Sequence, residues 1–363
     1  MDRTARPEIT SPNTHGGGAA ALIFDEMLGE FVPAAENEFA ARWHNLADPR
    51  LGAAAISATD EWFAPKTRLL DHKPPRFIAN EYDDHGKWMD GWETRRLRIP
   101  GHDHCVVRLA GAGRIRGVNI DTSHFTGNYP PFASIDACHS KSGPDVSTKW
   151  IEVLPAVPLR GHVSNLFPVE NDGVWTHVRL NIYPDGGVAR LRVYGDFHLD
   201  RQAAGDAPVN LAAIEHGAWM VACSDQHYGS PANILYPGIG ASMAEGWETR
   251  RRREPGNEWA IFRLARPGTV RQIVVDTTHF KGNYPDRCSI QAATLSDNEA
   301  MATTASMFWD ELLPEQKLEM NRAHAFEKEI VHLGPVTHVR FNLIPDGGVN
   351  RLRLIGTQVP PAR

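Results

Sequence analysis

THVRLNIYPDGGVARLRVYG at 176–195 returns as THVRFNLIPDGGVNRLRLIG at 337–356. In His177–Tyr183 the apolar Val178, Leu180 and Ile182 alternate with His177, Arg179, Asn181 and Tyr183. That period of two marks a half-buried strand. Pro184-Asp185-Gly186-Gly187 supplies a tight turn, because proline presets φ and glycine accepts a positive one. Val188–Tyr194 then places Arg190 and Arg192 on one face and Leu191 and Val193 on the other, so the block predicts a β-hairpin. One strand–turn–strand block, present twice, predicts an all-β chain built by duplication.

Other blocks repeat in the same order. GWETRR stands at 91–96 and 246–251, and DTSHFTGNYP at 121–130 becomes DTTHFKGNYP at 276–285, both with an offset of 155. The PDGG block follows at offset 161. Asn45 through Asp60 echoes Asn210 through Asp225 at offset 165, and Trp150 through Phe167 echoes Trp309 through Phe326 at offset 159. Asp90–Pro130 matches its partner at 22 of 41 positions, beyond what chance gives. A period this long is a whole domain, not a solenoid unit. The expected organisation is an N-terminal extension over 1–44, disordered at its start, repeat one over 45–198, a linker over 199–209, repeat two over 210–357 and a tail over 358–363. Ile115–Asp121 and Val270–Asp276 also read as strands. The main helical candidate is 297–329, interrupted by Pro314.

The 363 residues suit two domains, and the 31 glycines and 26 prolines suit many turns between short strands. A formal net charge of −6 argues against nucleic acid as the main partner. No apolar stretch approaches the ~18 residues of a membrane span. The run Ala19–Phe24 lacks a basic flank and leads into Asp25 and Glu26, so it is a poor signal peptide, and a cytoplasmic location is expected. Cys105, Cys138, Cys223 and Cys288 form no CxxC pair, and each faces an alanine in the other repeat. They read as small buried packing residues.

No nucleophile elbow, P-loop, HExxH or GxGxxG motif is present. Chemistry therefore falls to the repeated polar blocks. Glu93 and Glu248 of GWETRR can act as acid or base, and Arg95 and Arg250 offer planar forks for a carboxylate. The alternative is a surface strand with salt bridges. In DTSHF…GNYP, Asp121 and Asp276 end a strand, and the loop that follows carries His124 and His279, then Asn128 and Asn283. Asp with His gives a base and its orienter, or two metal ligands without a third at diagnostic spacing, or simply a capped turn. The strand face bearing His177, Arg179 and Asn181, repeated as His338, Arg340 and Asn342, either lines a site or forms a contact between repeats or subunits.

GWETRR, DTSHFTGNYP and HVRLNIYPDGG, each present twice, together with ATDEWFAP and CSDQHYG at 58–65 and 223–229, resemble the allantoicase family over nearly the whole chain after about residue 40. The resemblance implies two tandem jelly-roll β-sandwich domains of galactose-binding-like type. It also implies hydrolysis of allantoate to ureidoglycolate and urea. Chemistry motivates the roles: Glu93, Glu248, His124 and His279 transfer protons, with Asp121 and Asp276 orienting. Arg95 and Arg250 clamp the carboxylate, and Asn128, Asn283, Asn181 and Asn342 bind ureido groups. Trp62-Phe63 faces His227-Tyr228, so the copies need not be equivalent. No cofactor or metal site is assigned, a divalent metal is left open, and a homo-oligomer acting on a small molecule is expected. The rival reading is a non-catalytic jelly roll holding a carbohydrate or ureide on its aromatic residues.

Overall fold

The computed structural model describes residues 38–198, 207–295 and 299–359, together with the paired backbone strands Leu22–Asp25 and Glu30–Pro33. The expected disorder of residues 1–18 and most of the linker lie outside these.

Each repeat is organised by one 19-residue strand, Asp103–Asp121 in the first and Glu258–Asp276 in the second. The first half of Asp103–Asp121 pairs with Trp175–Tyr183 and Ala54–Ala58, and its second half with Arg190–Phe197 and Ser164–Pro168. The strand bends over near Gly113, so a single ladder folds into the two layers of a sandwich. Phe132–Cys138 and Ile151–Pro158 extend the first layer. The second repeat reproduces this order, giving two tandem β-sandwich domains.

Alternation works as the sequence implied. Val178, Leu180 and Ile182 join Cys105, Val107, Ile120 and Leu191 in the first core, and Val339, Phe341 and Leu343 occupy the same places in the second. Burial pushes the Cys105 and Cys288 thiols up to about 12 and the Cys223 thiol up to about 11, as suits packing residues. Trp92 and Trp247 are fully buried core residues, and their indole N–H groups donate to the carbonyls of Asp60 and Asp225.

Two expectations are corrected. Trp175–Tyr183 and Arg190–Phe197 do not form a hairpin. Each pairs with a different half of Asp103–Asp121, and the PDGG turn carries the chain from one layer to the other. Gly187–Val188 pairs instead with Trp92–Glu93. The helical candidate 297–329 reduces, among the described residues, to three short turns over Glu299–Phe308, followed by the strands Asp310–Lys317 and Ala323–Phe326. Sheet pairing of Leu312 and Leu313 into the core overrides the helix-favouring composition.

The repeats differ in one loop. The segment 71–90 is ten residues longer than its counterpart 236–245, which is why the offset falls from 165 to 155. The extra length forms a small hairpin, Tyr82–Asp83 with Gly86–Lys87. The repeats touch through Asp48 and Arg50, which bond the Tyr236 hydroxyl at 2.9 and 2.8 Å, while Leu51 packs on the core of repeat two.

Candidate active site

The PDGG turn and the DTSHF loop meet at one end of each sandwich. Gly186 has φ 138, a left-handed value that suits glycine, and a Cβ on Gly187 would stand 2.0 Å from Phe125. Phe125, from DTSHF, is fully buried against this glycine. The close approach brings GNYP beside the GWE strand. As a result Asn128 Nδ2 donates to Glu93 Oε1 at 2.7 Å, and Asn283 Nδ2 donates to Glu248 Oε1 at 2.6 Å. Two residues that stand 35 apart in each repeat become one polar pair.

Glu93 is 8 % exposed. Burial pushes its carboxyl above the ordinary range, the Asn128 bond opposes that, and the nearby Asp83 carboxylate adds to it. Asp83 belongs to the extra hairpin of repeat one. His85 of the same hairpin stacks on Trp62 at 4.4 Å, and Arg95 lies 5.1 Å from the Trp62 ring. Repeat two has no such hairpin, and Glu248 is half-buried. The exposed, salt-bridged reading of GWETRR holds only for its arginines: the glutamates turn inward, while Arg95 and Arg250 stand at the rim in ion pairs with Asp60 and Asp225.

Asp60 holds Arg95 through the backbone N–H at 2.9 Å and Nε at 2.8 Å. Burial works to raise the Asp60 carboxyl, but these bonds outweigh it and keep it below its ordinary value. Asp225 receives the Arg250 backbone N–H at 2.9 Å, with Nε at 3.4 Å. In both copies the terminal guanidinium nitrogens have no hydrogen-bond partner among the described residues. Sequence reasoning missed the two aspartates, although their repetition at offset 165 was a usable signal.

His124 and His279 adopt left-handed backbone, φ 69 and 75. The strain is held from outside. The His124 amide donates to His162 Nδ1 at 2.8 Å and the His279 amide to Asn321 Oδ1 at 2.9 Å. The ring Nε2 atoms reach the carbonyls of Pro75 at 3.2 Å and Gly240 at 2.7 Å, where a ring nitrogen can only donate, and Nδ1 has no hydrogen-bond partner among the described residues. His162 and Asn321 were also missed, yet the offset of 159 places them opposite each other. Asp121 and Asp276 accept the amides of Ser123 and Thr278 at 2.8 and 2.7 Å, capping the loop.

Asn181 and Asn342 stand apart from the Glu–Asn pairs. Asn181 donates to Ser134 at 3.0 Å and Asp136 at 2.9 Å, and Asn342 to Ser289 at 3.1 Å. Arg179 bonds Asp136 in the same network, so this strand face is spent on polar contacts between neighbouring strands of one sheet. The return-strand arginines anchor loops. Buried Arg190 bonds Asp90 Oδ2 at 2.9 Å and the carbonyls of Lys73 and Asp90, pinning the long loop. Arg351 bonds the Glu245 carbonyl at 2.8 Å. Among the described residues, no group of three or more His, Cys, Asp or Glu side chains stands close enough to hold a metal ion. No helix among them is long and apolar enough to cross a membrane.

The model of the allantoicase repeat matches residues 44–198 and 209–359. A probable allantoicase of Burkholderia mallei is 58% identical over 323 residues, covering 88% of this chain and 96% of that protein. A probable allantoicase of Ralstonia nicotianae is 56% identical over 322 residues, with the same coverage of both. The crystal structure of allantoicase from Saccharomyces cerevisiae superposes with a TM-score of 0.73 at 33% identity, covering 86% of this chain and 92% of that one.

Proposed function

The chain belongs to the allantoicase family, and on that premise we propose that it hydrolyses allantoate to ureidoglycolate and urea, using the Glu–Asn pairs at the sandwich ends. The observation that carries the assignment of the site is the duplicated carboxyl–amide bond, Glu93–Asn128 at 2.7 Å and Glu248–Asn283 at 2.6 Å, with Glu93 held above its ordinary pKa.

The reacting carbon of allantoate carries a carboxylate and two ureido groups. Breaking one C–N bond requires a proton on the leaving nitrogen and a hydroxyl on the carbon. Glu93, raised by burial, delivers that proton as general acid. Asn128 matches the donors and acceptors of a ureido group while orienting the carboxyl. Arg95, steadied by Asp60 through Nε, presents its terminal nitrogens to the substrate carboxylate. His124 Nδ1 takes the proton of the attacking water, with the Asp121-capped loop holding the ring in place. Urea leaves with the proton from Glu93, and the carbon keeps the hydroxyl. In repeat two, Glu248, Asn283, Arg250, His279 and Asp276 take the corresponding roles in a second site, one per repeat.

The test is the release of urea and ureidoglycolate from allantoate, measured with and without chelator. Glu93→Gln combined with Glu248→Gln lowers turnover by about 10²–10⁴ if the two glutamates are the acids, whereas either variant alone leaves the other site working. Full turnover in the double variant refutes the site. No urea from the unmodified chain refutes the activity.

A further inference from the structure

Away from the Glu–Asn pairs, an open cleft of about 930 Å³ lies between the two repeats. Arg42 lines it from the extension just before repeat one, Arg114 and Arg116 from repeat one, and Arg263 and Arg266 from repeat two. Asp172 and Asp196 bond Arg116 at 3.0 and 3.3 Å, and Glu299 bonds Arg263 at 3.1 Å. Arg42, Arg114 and Arg266 have no carboxylate within ion-pair distance among the described residues. Three unneutralised guanidinium groups thus converge on one cavity, in a chain whose formal net charge is −6. Such a local field draws anions in against the overall charge.

Flat rings share the cleft. Trp43 and His44 line it from the end of the extension, Phe197 from repeat one and Trp219 from repeat two. The His44 ring stands edge-on to Trp219 at 4.9 Å and lies 5.7 Å from Phe197, so a row of rings bridges the repeats. Burial, reinforced by Arg263, pulls the His44 imidazole down to about 4, which leaves it an uncharged ring at neutral pH. The volume falls in the range of about 300–1,000 Å³ that small-molecule sites occupy. Arginine forks match phosphate oxygens, and aromatic faces and edges match a base.

We propose that the cleft between the repeats binds a nucleoside polyphosphate, with Arg42, Arg114 and Arg266 on the phosphates and Trp43, His44 and Trp219 against the base. The site is independent of the hydrolase reading, because none of its residues belongs to the Glu–Asn machinery.

Calorimetric titration of the full chain with ADP and with inorganic pyrophosphate tests this. ADP is expected to bind, with affinity falling as salt rises. Arg114→Glu with Arg266→Glu is expected to weaken ADP at least about tenfold. Allantoate turnover without nucleotide stays unchanged. Arg114 is exposed, so Arg114→Glu alone serves if the double variant fails to fold. Trp219→Ala is expected to weaken ADP and spare pyrophosphate. Absence of binding by either probe at millimolar concentration overturns the proposal, as does an unchanged affinity in the charge-reversed variants. Pyrophosphate binding as tightly as ADP, with Trp219→Ala neutral for both, replaces the nucleotide with a free oligophosphate and overturns the assignment of the base.

Discussion

Replacing Asn128 with alanine isolates the bond that opposes the rise of the Glu93 carboxyl. Asn128 Nδ2 donates to Glu93 Oε1 at 2.7 Å and so favours the charged carboxylate, while burial and Asp83 favour the neutral acid. A hydrogen bond to a charged group is worth about 1.5–3 kcal/mol, and Asn128 is exposed, so the lower end applies. The loss removes the one contribution that opposes burial and Asp83, so the Glu93 carboxyl moves further up. A general acid works while protonated, so with the repeat-two site silenced by Glu248→Gln the fall of kcat/KM on the alkaline side should move to higher pH in Asn128→Ala. The assay is urea release across pH, at substrate well below KM. The linked stability has a fixed sign. A carboxyl raised in the folded state contributes most below its unfolded pKa, and that contribution is lost as pH rises through the folded value. Asn128→Ala should therefore be destabilised more at pH 8 than at pH 4. A limb that stays in place, or moves to lower pH, refutes Glu93 as the acid held down by Asn128.

Gly187→Ala forces a Cβ to within 2.0 Å of Phe125 and should cost about 1–3 kcal/mol, lowering the melting temperature and loosening the GNYP loop; Gly348→Ala, whose Cβ would meet Phe280 at 1.9 Å, should behave alike. Arg190→Met strips Asp90 of its buried cation, leaving only exposed Arg76 at 3.8 Å, and should cost about 3 kcal/mol in chemical denaturation. Asp48 is raised by burial but held below its ordinary pKa on balance by Arg50 and Tyr236, so its contribution is present above the unfolded pKa and lost as pH falls through the folded one. Tyr236→Phe removes one of those bonds and should lose about 1 kcal/mol at neutral pH, with the deficit shrinking in acid.

Much of this protein can be read along the chain. Duplication is a statement about order in sequence, so GWETRR, DTSHF, GNYP and PDGG reveal two domains without coordinates. Alternation at Val178, Leu180 and Ile182 likewise names the core face, because side-chain direction in a strand follows from period two alone. The four cysteines opposite alanines are small packing residues for the same local reason.

Pairing partners are a different matter. Val188–Tyr194 looks like the return arm of a hairpin because short turns usually join neighbours. Only the 19-residue strand that crosses both layers separates it from Trp175–Tyr183. Composition likewise favoured a helix beyond residue 297, where long-range pairing with Arg287–Ala293 imposed a strand over Asp310–Lys317. Neither Asn128 nor Glu93 signals the other at a separation of 35 residues, and their bond exists because Gly187 lets Phe125 pack against the turn. The sequence by itself determined the duplication, the strand faces and the residues available for chemistry, since these depend on local order and periodicity. Tertiary structure alone decided which of those residues meet, since burial and hydrogen bonding depend on chain segments brought together through space. It placed Glu93 with Asn128, left Asn181 in a sheet network and put a hairpin beside the Glu–Asn pair of one repeat.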